Sequence, residues 1–338
     1  MHMERRKVMS LGKASLVVSL PREWLKMTGV EKGDAVSLTI GRDRSLTIRR
    51  EEEKAPPQLT ITISVGANET PGSITRKVIS CYLNGYDTVH LRSSEIFTAD
   101  QQTAIREVVK SLYMRIIEAS ASTATIQALI NESMASVPDA VERMHIITAS
   151  MCKNVVNALR GWEPNLARSV LPLEEDIDQF RYFIIRLLRG AASDPQLAIS
   201  LQVDMVDCID YLTIVNRIEH IADKAVSVAE GLASLIEEGE KLPPTLHEAC
   251  MSLAEAACES YNGAVDSFLS KDQEASNRMI EGEASAMLFS ERVTALIAEA
   301  DNVDIPRLTM LRDGLAQIVE FSADIAEVTI DRTYKVSP

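Results

Sequence analysis

The sequence is poor in aromatic residues, which make up 4% of its 338 positions, and it lacks the short motifs that mark many enzymes. It contains no Gly-rich phosphate loop, no Gly-x-Ser-x-Gly and no His-Glu-x-x-His. Nothing in it pairs a nucleophile with a neighbouring base. We therefore expect a protein that is not an enzyme.

Long apolar runs and paired cysteines are also missing. No stretch of 18 apolar residues occurs, so we expect no membrane span. The five cysteines are odd in number and form no Cys-x-x-Cys, which favours free, mostly buried thiols in a reducing compartment. The first residues, MHMERRKVMS, are polar and basic and do not resemble a secretory signal. A cytoplasmic location is the expectation.

The chain does contain a large excess of acidic residues, and this excess is unevenly distributed. The net charge is −14, yet residues 1–50 hold 11 Lys and Arg against 5 Asp and Glu, a net charge of +6. The remainder therefore carries −20. We call residues 1–50 the head and the rest of the chain the body. The basic head and the acidic body suggest two separate functions, one of which is binding to a polyanion.

The first fifty residues predict a small β-rich unit. Strands are expected at 14–20, 35–40 and 45–50, and a short helix is expected to begin after Pro21 and end at Gly29. A segment of this length has too little core to be stable alone, so we expect it to dimerise.

The composition then predicts a linker and a second small unit. Residues 51–57, EEEKAPP, have the composition of a linker. Residues 58–132 predict a small α/β unit, with helices following Thr70 and Thr98. Its three expected strands lie at 59–65, 86–91 and 123–130.

From about residue 135 the pattern is helical and repeats itself. Residues 156–174 align with 265–283 at an offset of 109, and 218–230 align with 319–331 at an offset of 101. This internal repeat predicts two tandem three-helix bundles, at 135–240 and 241–335, and a fold that is mainly α. The expected helices span 137–162, 173–192, 197–237, 243–270, 273–300 and 304–335.

The third helix of each bundle carries a stripe of carboxylates beside its apolar stripe. Glu219 and Asp223 are four residues apart, as are Glu320 and Asp324, so each pair shares one helix face. Like charges at this spacing repel each other. Oxygen-only ligands from neighbouring helices suit Mg, Ca, Mn or Fe, which makes a metal site one interpretation. An ordinary solvated acidic face is the other, and both stay open.

The second helix of the first bundle adds two acids, and the second bundle only one. Glu174 and Asp178 are four residues apart on one face of that helix. In the repeat, Glu283 takes the place of Glu174, but Met287 takes the place of Asp178. The first bundle is therefore the better candidate for a metal site. His145 and His220 are further candidate ligands, although packing or surface roles suit them better.

The head resembles a known family of DNA-binding modules. Residues 5–50, RRKVMSLGKASLVVSLPREWLKMTGVEKGDAVSLTI…SLTIRR, are similar to the AbrB/MazE/SpoVT swapped-hairpin module. The resemblance implies a homodimer with intertwined strands whose basic residues contact DNA. The implied DNA contacts are Arg5, Arg6, Lys7, Lys13 and Arg22.

The body resembles PhoU, the phosphate-uptake regulator built of two three-helix bundles. The resemblance rests on EEDID at 174–178, IEHIADKA at 218–225 and VEFSADIA at 319–326. It implies multinuclear iron or zinc clusters, with Mn, Mg or Ca not excluded. Departures from the family pattern are His220, Ala222 and Met287, and the last puts a second cluster in doubt. The implied metal ligands are Glu174, Asp178, Glu219, Asp223, Glu283, Glu320 and Asp324.

Together the two resemblances imply a dimeric regulator of phosphate uptake, in an arrangement similar to archaeal phosphate regulators. The head would bind promoter DNA, and the body would sense phosphate status through metal or a partner. The alternative is a metal-binding scaffold that contacts a phosphate ABC transporter or its regulator, with the head serving dimerisation. A carboxylate-metal oxidase is disfavoured by the lack of an obvious Glu-x-x-His pair. An antitoxin-like role is disfavoured because such heads usually precede a short disordered tail.

Overall fold

The structure is a computed structural model that describes residues 4–12, 15–40, 45–50, 58–129 and 135–335. The chain divides into two compact units, one within Met1–Pro57 and the other spanning Gln58–Lys335. The predicted linker at 51–57 lies outside the described residues. The mainly α fold class is confirmed.

The head consists of two antiparallel strand pairs and one short helix. Strand β1 pairs with β2, and β3 pairs with β4. The predicted strand at 14–20 is wrong in extent: of its described residues 15–20, those at 15–17 pair, and they do so with a strand that the sequence did not predict. Helix α1 ends where expected, because Gly29 adopts φ 65° and its N–H donates to the carbonyl of Leu25. The elements are β1 (Met9–Leu11), β2 (Ser15–Val17), α1 (Arg22–Thr28), β3 (Val36–Ile40) and β4 (Leu46–Arg50).

The head contains no buried residue within its described part. Several large apolar side chains are instead open to solvent, among them Leu16 at 74%, Leu38 at 61% and Ile40 at 78% exposed. The strand pairs therefore form no hydrophobic core within a single head.

The second unit begins with a four-stranded sheet in the order β5-β6-β8-β7. Strands β5 and β6 are parallel, and the other two pairs are antiparallel. Strand β7 was not predicted, because a bulge between Ile116 and Glu118 breaks the alternation of apolar and polar residues. The elements are β5 (Thr60–Val65), α2 (Pro71–Leu83), β6 (Thr88–Ser93), α3 (Ala99–Lys110), β7 (Met114–Ala119) and β8 (Thr123–Ala128).

Between residues 135 and 335, the structure contains six long helices and two short ones. The predicted helix at 197–237 is wrong in one respect, because it is broken between α7 and α8. Gln202 adopts φ 56°, which a right-handed helix cannot accommodate, and Asp204 then starts α8 in a capping box with Asp207. The helices are α4 (Val137–Gly161), α5 (Pro164–Arg168), α6 (Leu173–Ser193), α7 (Pro195–Ser200), α8 (Met205–Glu237), α9 (Pro244–Ser270), α10 (Gln273–Glu299) and α11 (Ile305–Thr333).

The long helices form two bundles that share one hydrophobic core. Helices α4, α6 and α8 pack together, as do α9, α10 and α11, while α8 also packs on α11 and α4 on α9. The contact between α8 and α11 depends on glycine. A Cβ on Gly314 would lie 2.6 Å from Cγ2 of Val228, and a Cβ on Gly231 would lie 2.7 Å from Cε of Met310. Among the described residues, no helix combines the length and apolar character needed to cross a membrane.

One buried arginine attaches the α/β part of this unit to the first bundle. Arg186 on α6 is 3% exposed, and its Nη1 donates to the carbonyls of Tyr82 at 2.7 Å and Tyr86 at 2.9 Å. Its Nη2 donates to the carbonyl of Gly85 at 3.2 Å and to Asp87 Oδ1 at 3.3 Å. These carbonyls lie at the negative end of α2, where a cation is favourable.

Replacing this arginine should loosen the attachment. We expect Arg186→Met to lower the free energy of unfolding by about 2–4 kcal/mol, because three buried carbonyl oxygens lose their donor. Limited proteolysis should then release the α/β part faster. The matched control is Arg189→Met, since Arg189 makes similar contacts to Leu83 and Asn84 at an exposed position. Equal effects of both substitutions would contradict this role for Arg186.

Candidate functional site

The structure brings the four predicted acids of the first bundle onto facing sides of α6 and α8. Glu174 and Asp178 lie on α6, and Glu219 and Asp223 lie on α8. The two helices are antiparallel neighbours: Arg181 Nε on α6 lies 3.5 Å from Glu219 Oε1 on α8, and Glu174, earlier on α6, interacts with Asp223 and Glu230, later on α8. The acids are close enough to raise one another's pKa.

All four carboxyl groups have pKa values above their ordinary range. Burial raises the pKa of Glu219 to about 7, with Asp223, Asp178 and Glu174 adding to the effect and Arg181 opposing it. Burial likewise raises the pKa of Glu174, with further contributions from Asp223 and Asp178. Partial burial is also the main cause of the raised pKa values of Asp178 and Asp223. Burial is thus the leading cause of the raised pKa at all four positions.

A nearby cation that the sequence analysis missed lies against this cluster. Arg181 contacts Glu219 and also donates from Nε to Asn216 Oδ1 at 3.2 Å. Asp178 and Arg181 are three residues apart on one helix, and this spacing could have indicated from the sequence that Arg181 lies beside the acids. Because Arg181 reaches only one oxygen of Glu219, the buried Oε2 atom has no hydrogen-bond partner.

The second bundle repeats this arrangement incompletely. Glu283 on α10 has a raised pKa, caused first by burial and then by Glu320, Asp324 and Glu327 on α11, so these acids also face one another. Asp324, however, is paired with Arg217 of α8 at 2.9 Å. Arg217 is the second cation that the sequence analysis missed, because its partner lies on a distant helix.

The position that lacks an acid borders a polar groove. Met287 lies with Glu291, Arg312, Asp313 and Glu320 around a groove of about 320 Å³ between α10 and α11. Glu291 lines this groove from α10, and Arg312, Asp313 and Glu320 line it from α11. Whether the second bundle holds a metal stays a prediction.

The four acids of the first bundle, which we call the first cluster, have donor atoms that suit a cation, but their placement does not. Its donors are all carboxylate oxygens, they repel one another, and Glu219 Oε2 is buried without a hydrogen-bond partner. Yet within the described ranges no three His, Cys, Asp or Glu side chains are placed to hold one metal ion.

The two candidate histidines occupy different surroundings. His145 is buried away from the acids, with its Nδ1 3.1 Å from the hydroxyl of Tyr261 and its Nε2 3.5 Å from Asp266 Oδ1. It therefore packs between α4 and α9. His220 lies beside the first cluster, with Nε2 3.6 Å from Glu219 Oε2 and its ring against Phe321. All five cysteines are free, and four are buried.

The predicted DNA-contacting residues of the head are exposed where the structure describes them. Arg5, Arg6, Lys7 and Arg22 all reach solvent, and Arg6 donates to Ser19 Oγ at 3.3 Å. Lys13 lies outside the described residues. The first three are consecutive and precede β1, so they form one basic segment.

Comparisons with known proteins identify both parts of the chain. Residues 141–232, within the first bundle, match the sequence model of the PhoU domain. Residues 10–56 match that of MazE, described as an antidote-toxin recognition domain of bacterial antitoxins. The head is thus similar to the MazE-type domain and the first bundle to the PhoU domain, as the resemblances predicted.

Two solved structures share the fold of the body. PhoU from Pseudomonas aeruginosa is 20% identical, with a TM-score of 0.53 over 59% of this chain and 96% of that one. The phosphate transport system regulatory protein PhoU from Streptococcus pneumoniae is 13% identical, with a TM-score of 0.50 over 60% and 95%. No curated protein sequence matches the chain. The archaeal type of arrangement stays a prediction.

The raised pKa of Glu219 predicts a pH-dependent stability. Its folded-state pKa of about 7 exceeds the ordinary value of 4.5, so ionisation destabilises the fold. This penalty is absent below pH 4.5, grows as the pH rises toward 7 and is complete above it. Glu219→Gln should therefore raise the free energy of unfolding by about 1–3 kcal/mol at pH 8 and change it little at pH 4.5. Denaturant titrations at both pH values would measure this.

The control for this experiment is Glu230→Gln, at an exposed position of the same helix stripe. We expect it to leave the pH dependence unchanged. A Glu219→Gln protein that is no more stable than the unchanged protein at pH 8 would contradict the interpretation of a strained buried carboxylate.

Proposed function

We propose that the protein regulates phosphate uptake by binding promoter DNA through a dimer of its basic heads. The observation that carries this proposal is the joining of a MazE-type domain to a PhoU domain in one chain. The opposite charges of the two parts support it, since +6 on the head attracts a polyanion and −20 on the rest repels one. The acidic body then senses phosphate status through a metal ion or a protein partner.

The exposed apolar residues of the head support the dimer. A single head buries none of its described residues, and Leu16, Leu38 and Ile40 would lose their contact with water only against a partner. Two symmetric heads would place two copies of the basic segment Arg5, Arg6 and Lys7 on DNA. A roughly palindromic site is the expected target.

The DNA interaction is testable by fluorescence anisotropy on a phosphate-transporter promoter fragment and a scrambled fragment. We expect tighter binding to the promoter, steep weakening with salt and a change on adding phosphate. Arg5→Ala with Arg6→Ala and Lys7→Ala should weaken binding about 10- to 100-fold and lower the salt dependence, because phosphate contacts are lost.

Two controls separate the head from the body in this assay. Arg160→Ala with Arg168→Ala removes two exposed cations of the body and should leave DNA binding unchanged. Deleting residues 1–50 should abolish it. Tight binding that survives this deletion would overturn the assignment of DNA binding to the head.

The second candidate is a metal-binding scaffold that acts on a phosphate transporter by protein contact, with the head serving mainly to dimerise it. The observation that favours it is the cluster of facing acids around Glu219, whose Oε2 atom is buried without a hydrogen bond. Equal, weak binding to both DNA fragments would favour this candidate. An antitoxin-like role is disfavoured, because a packed unit spanning Gln58–Lys335 follows the head.

Metal binding by the body is a separate prediction. Glu219→Ala with Asp223→Ala should lower the amount of iron or zinc that the protein retains after loading and desalting, while helicity stays largely intact. Elemental analysis and circular dichroism would measure the two quantities. Glu237→Ala with Glu255→Ala, at exposed ion-paired positions, is the control. If the unchanged protein retains no metal, the acids form a solvated or protein-binding face.

A further inference from the structure

One edge of the four-stranded sheet is a strand that nothing protects against further pairing. Strand β5 lies at the end of the order β5-β6-β8-β7 and spans six residues, Thr60–Val65. It contains no charged residue and no proline, and its register with β6 is continuous. Edge strands rich in threonine and isoleucine pair readily with another strand, and natural proteins usually block them.

The opposite edge of the same sheet is blocked. Strand β7 carries Arg115 and Glu118, and its pairing with β8 shifts register between Ile116 and Glu118. Charged side chains and a bulge both discourage the addition of a further strand. Of the two edges, β5 is therefore the one that is regular, uncharged and suited to pairing.

The hydrogen bonds of β5 show which of its backbone groups point away from the sheet. The carbonyl of Leu59 accepts from the first N–H of β6 at 3.1 Å. Because the direction of the backbone groups alternates along a strand, the N–H and C=O groups of Thr60, Thr62 and Ser64 point outward. All three residues are exposed. Lys77 Nζ donates to the carbonyl of Ser64 at 3.3 Å, but a carbonyl oxygen can accept a second hydrogen bond.

These outward groups fit an antiparallel copy of the same strand. When Thr62 of one chain lies opposite Thr62 of another, Thr60 of each chain lies opposite Ser64 of the other. Residues opposed in this way exchange N–H···O=C hydrogen bonds in both directions. The same register places Ile61 opposite Ile63, so the apolar face of one sheet continues into the other. The two-fold symmetry of this pairing is that of ordinary homodimers.

The linker favours a second copy of the chain as the occupant of this edge. Residues 51–57 separate the head from the unit that begins at Gln58, and they span at most about 25 Å. Two heads joined in a dimer therefore keep two β5 strands close together, which raises the effective concentration of each edge for the other. Because β5 is uncharged, the two copies do not repel each other along this edge.

We propose that the β5 edges of two chains pair antiparallel about Thr62 and join their sheets into one of eight strands. The head dimer serves this contact only as a tether, and in that respect the inference rests on the proposed function. The homodimer then has one contact through its heads and another through its bodies. The two bodies are held against each other and do not turn independently about their linkers.

Cysteine substitutions in the full chain test the pairing and its register. Thr62→Cys should form a disulfide-linked dimer on oxidation by dissolved oxygen, because opposed residues have Cα atoms about 5.5 Å apart. Thr60→Cys alone should not form it, since its two copies lie about 14 Å apart along the strands. A chain that carries both Thr60→Cys and Ser64→Cys should form the dimer again.

Two controls accompany these variants. Ile117→Cys places a thiol on the opposite edge strand, at a side chain that is 53% exposed, and should form no dimer. The unchanged protein, which keeps its five native cysteines, reports disulfides that have nothing to do with β5.

Hydrogen exchange of the unchanged protein provides a readout without substitution. The outward amides of Thr60, Thr62 and Ser64 should exchange about as slowly as those of Ile61 and Ile63, which bond to β6. Thr62→Pro removes the central outward N–H, and an edge strand tolerates proline there. This substitution should speed exchange at Thr60 and Ser64 at least tenfold while circular dichroism stays unchanged.

Three outcomes would overturn the proposal. Dimer formation by Thr60→Cys or Ile117→Cys as readily as by Thr62→Cys would mean that the thiols meet by random collision. Absence of a Thr62→Cys dimer would show that the two edges do not meet. Fast exchange at the three outward amides would show an edge that is free for a strand of another protein. None of these readouts involves DNA, so this inference and the proposed function can fail separately.

Discussion

The close approach of α8 and α11 is the constraint on which the arrangement of the body depends. The helices run antiparallel, since Val228 meets Gly314 near one end and Arg217 meets Asp324 near the other. This contact merges the two three-helix bundles into one core. Because α8 and α11 also carry the two acidic stripes, the contact that stabilises the fold fixes where the carboxylates lie. The packing of α8 against α11 therefore determines where the two acidic stripes lie.

The sequence predicted the architecture well because helical periodicity is a local signal. The apolar spacing located the six long helices, and the repeat indicated their grouping into two bundles. Two features were predicted wrongly because a local backbone irregularity does not show in the apolar periodicity. The bulge at Ile116 and Glu118 disguised β7, and the left-handed Gln202 separated α7 from α8 inside a continuous apolar pattern. In the head, β1 was not predicted because it spans only three residues.

The candidate site was predicted only in part, because its charge balance depends on contacts between distant residues. Spacing on one helix placed Glu219 beside Asp223 and Glu174 beside Asp178. It did not indicate that Arg217, on the first bundle, neutralises Asp324 on the second. The two stripes look alike in sequence, yet they differ in electrostatics. In the first, Arg181 contacts Glu219 and leaves its Oε2 atom without a hydrogen bond, whereas in the second Arg217 pairs with Asp324.

The packing of α8 determines which of its residues can be substituted without disturbing the fold. Its inward sides pack on α4, α6 and α11, so most substitutions there would disturb the shared core. The side chains of Met205, Ile209 and Leu212 on its outward side are exposed and do not pack into the shared core. Residues at these three positions can therefore be exchanged without repacking the interior. This part of the surface of α8 can therefore diverge between related chains while the architecture stays the same.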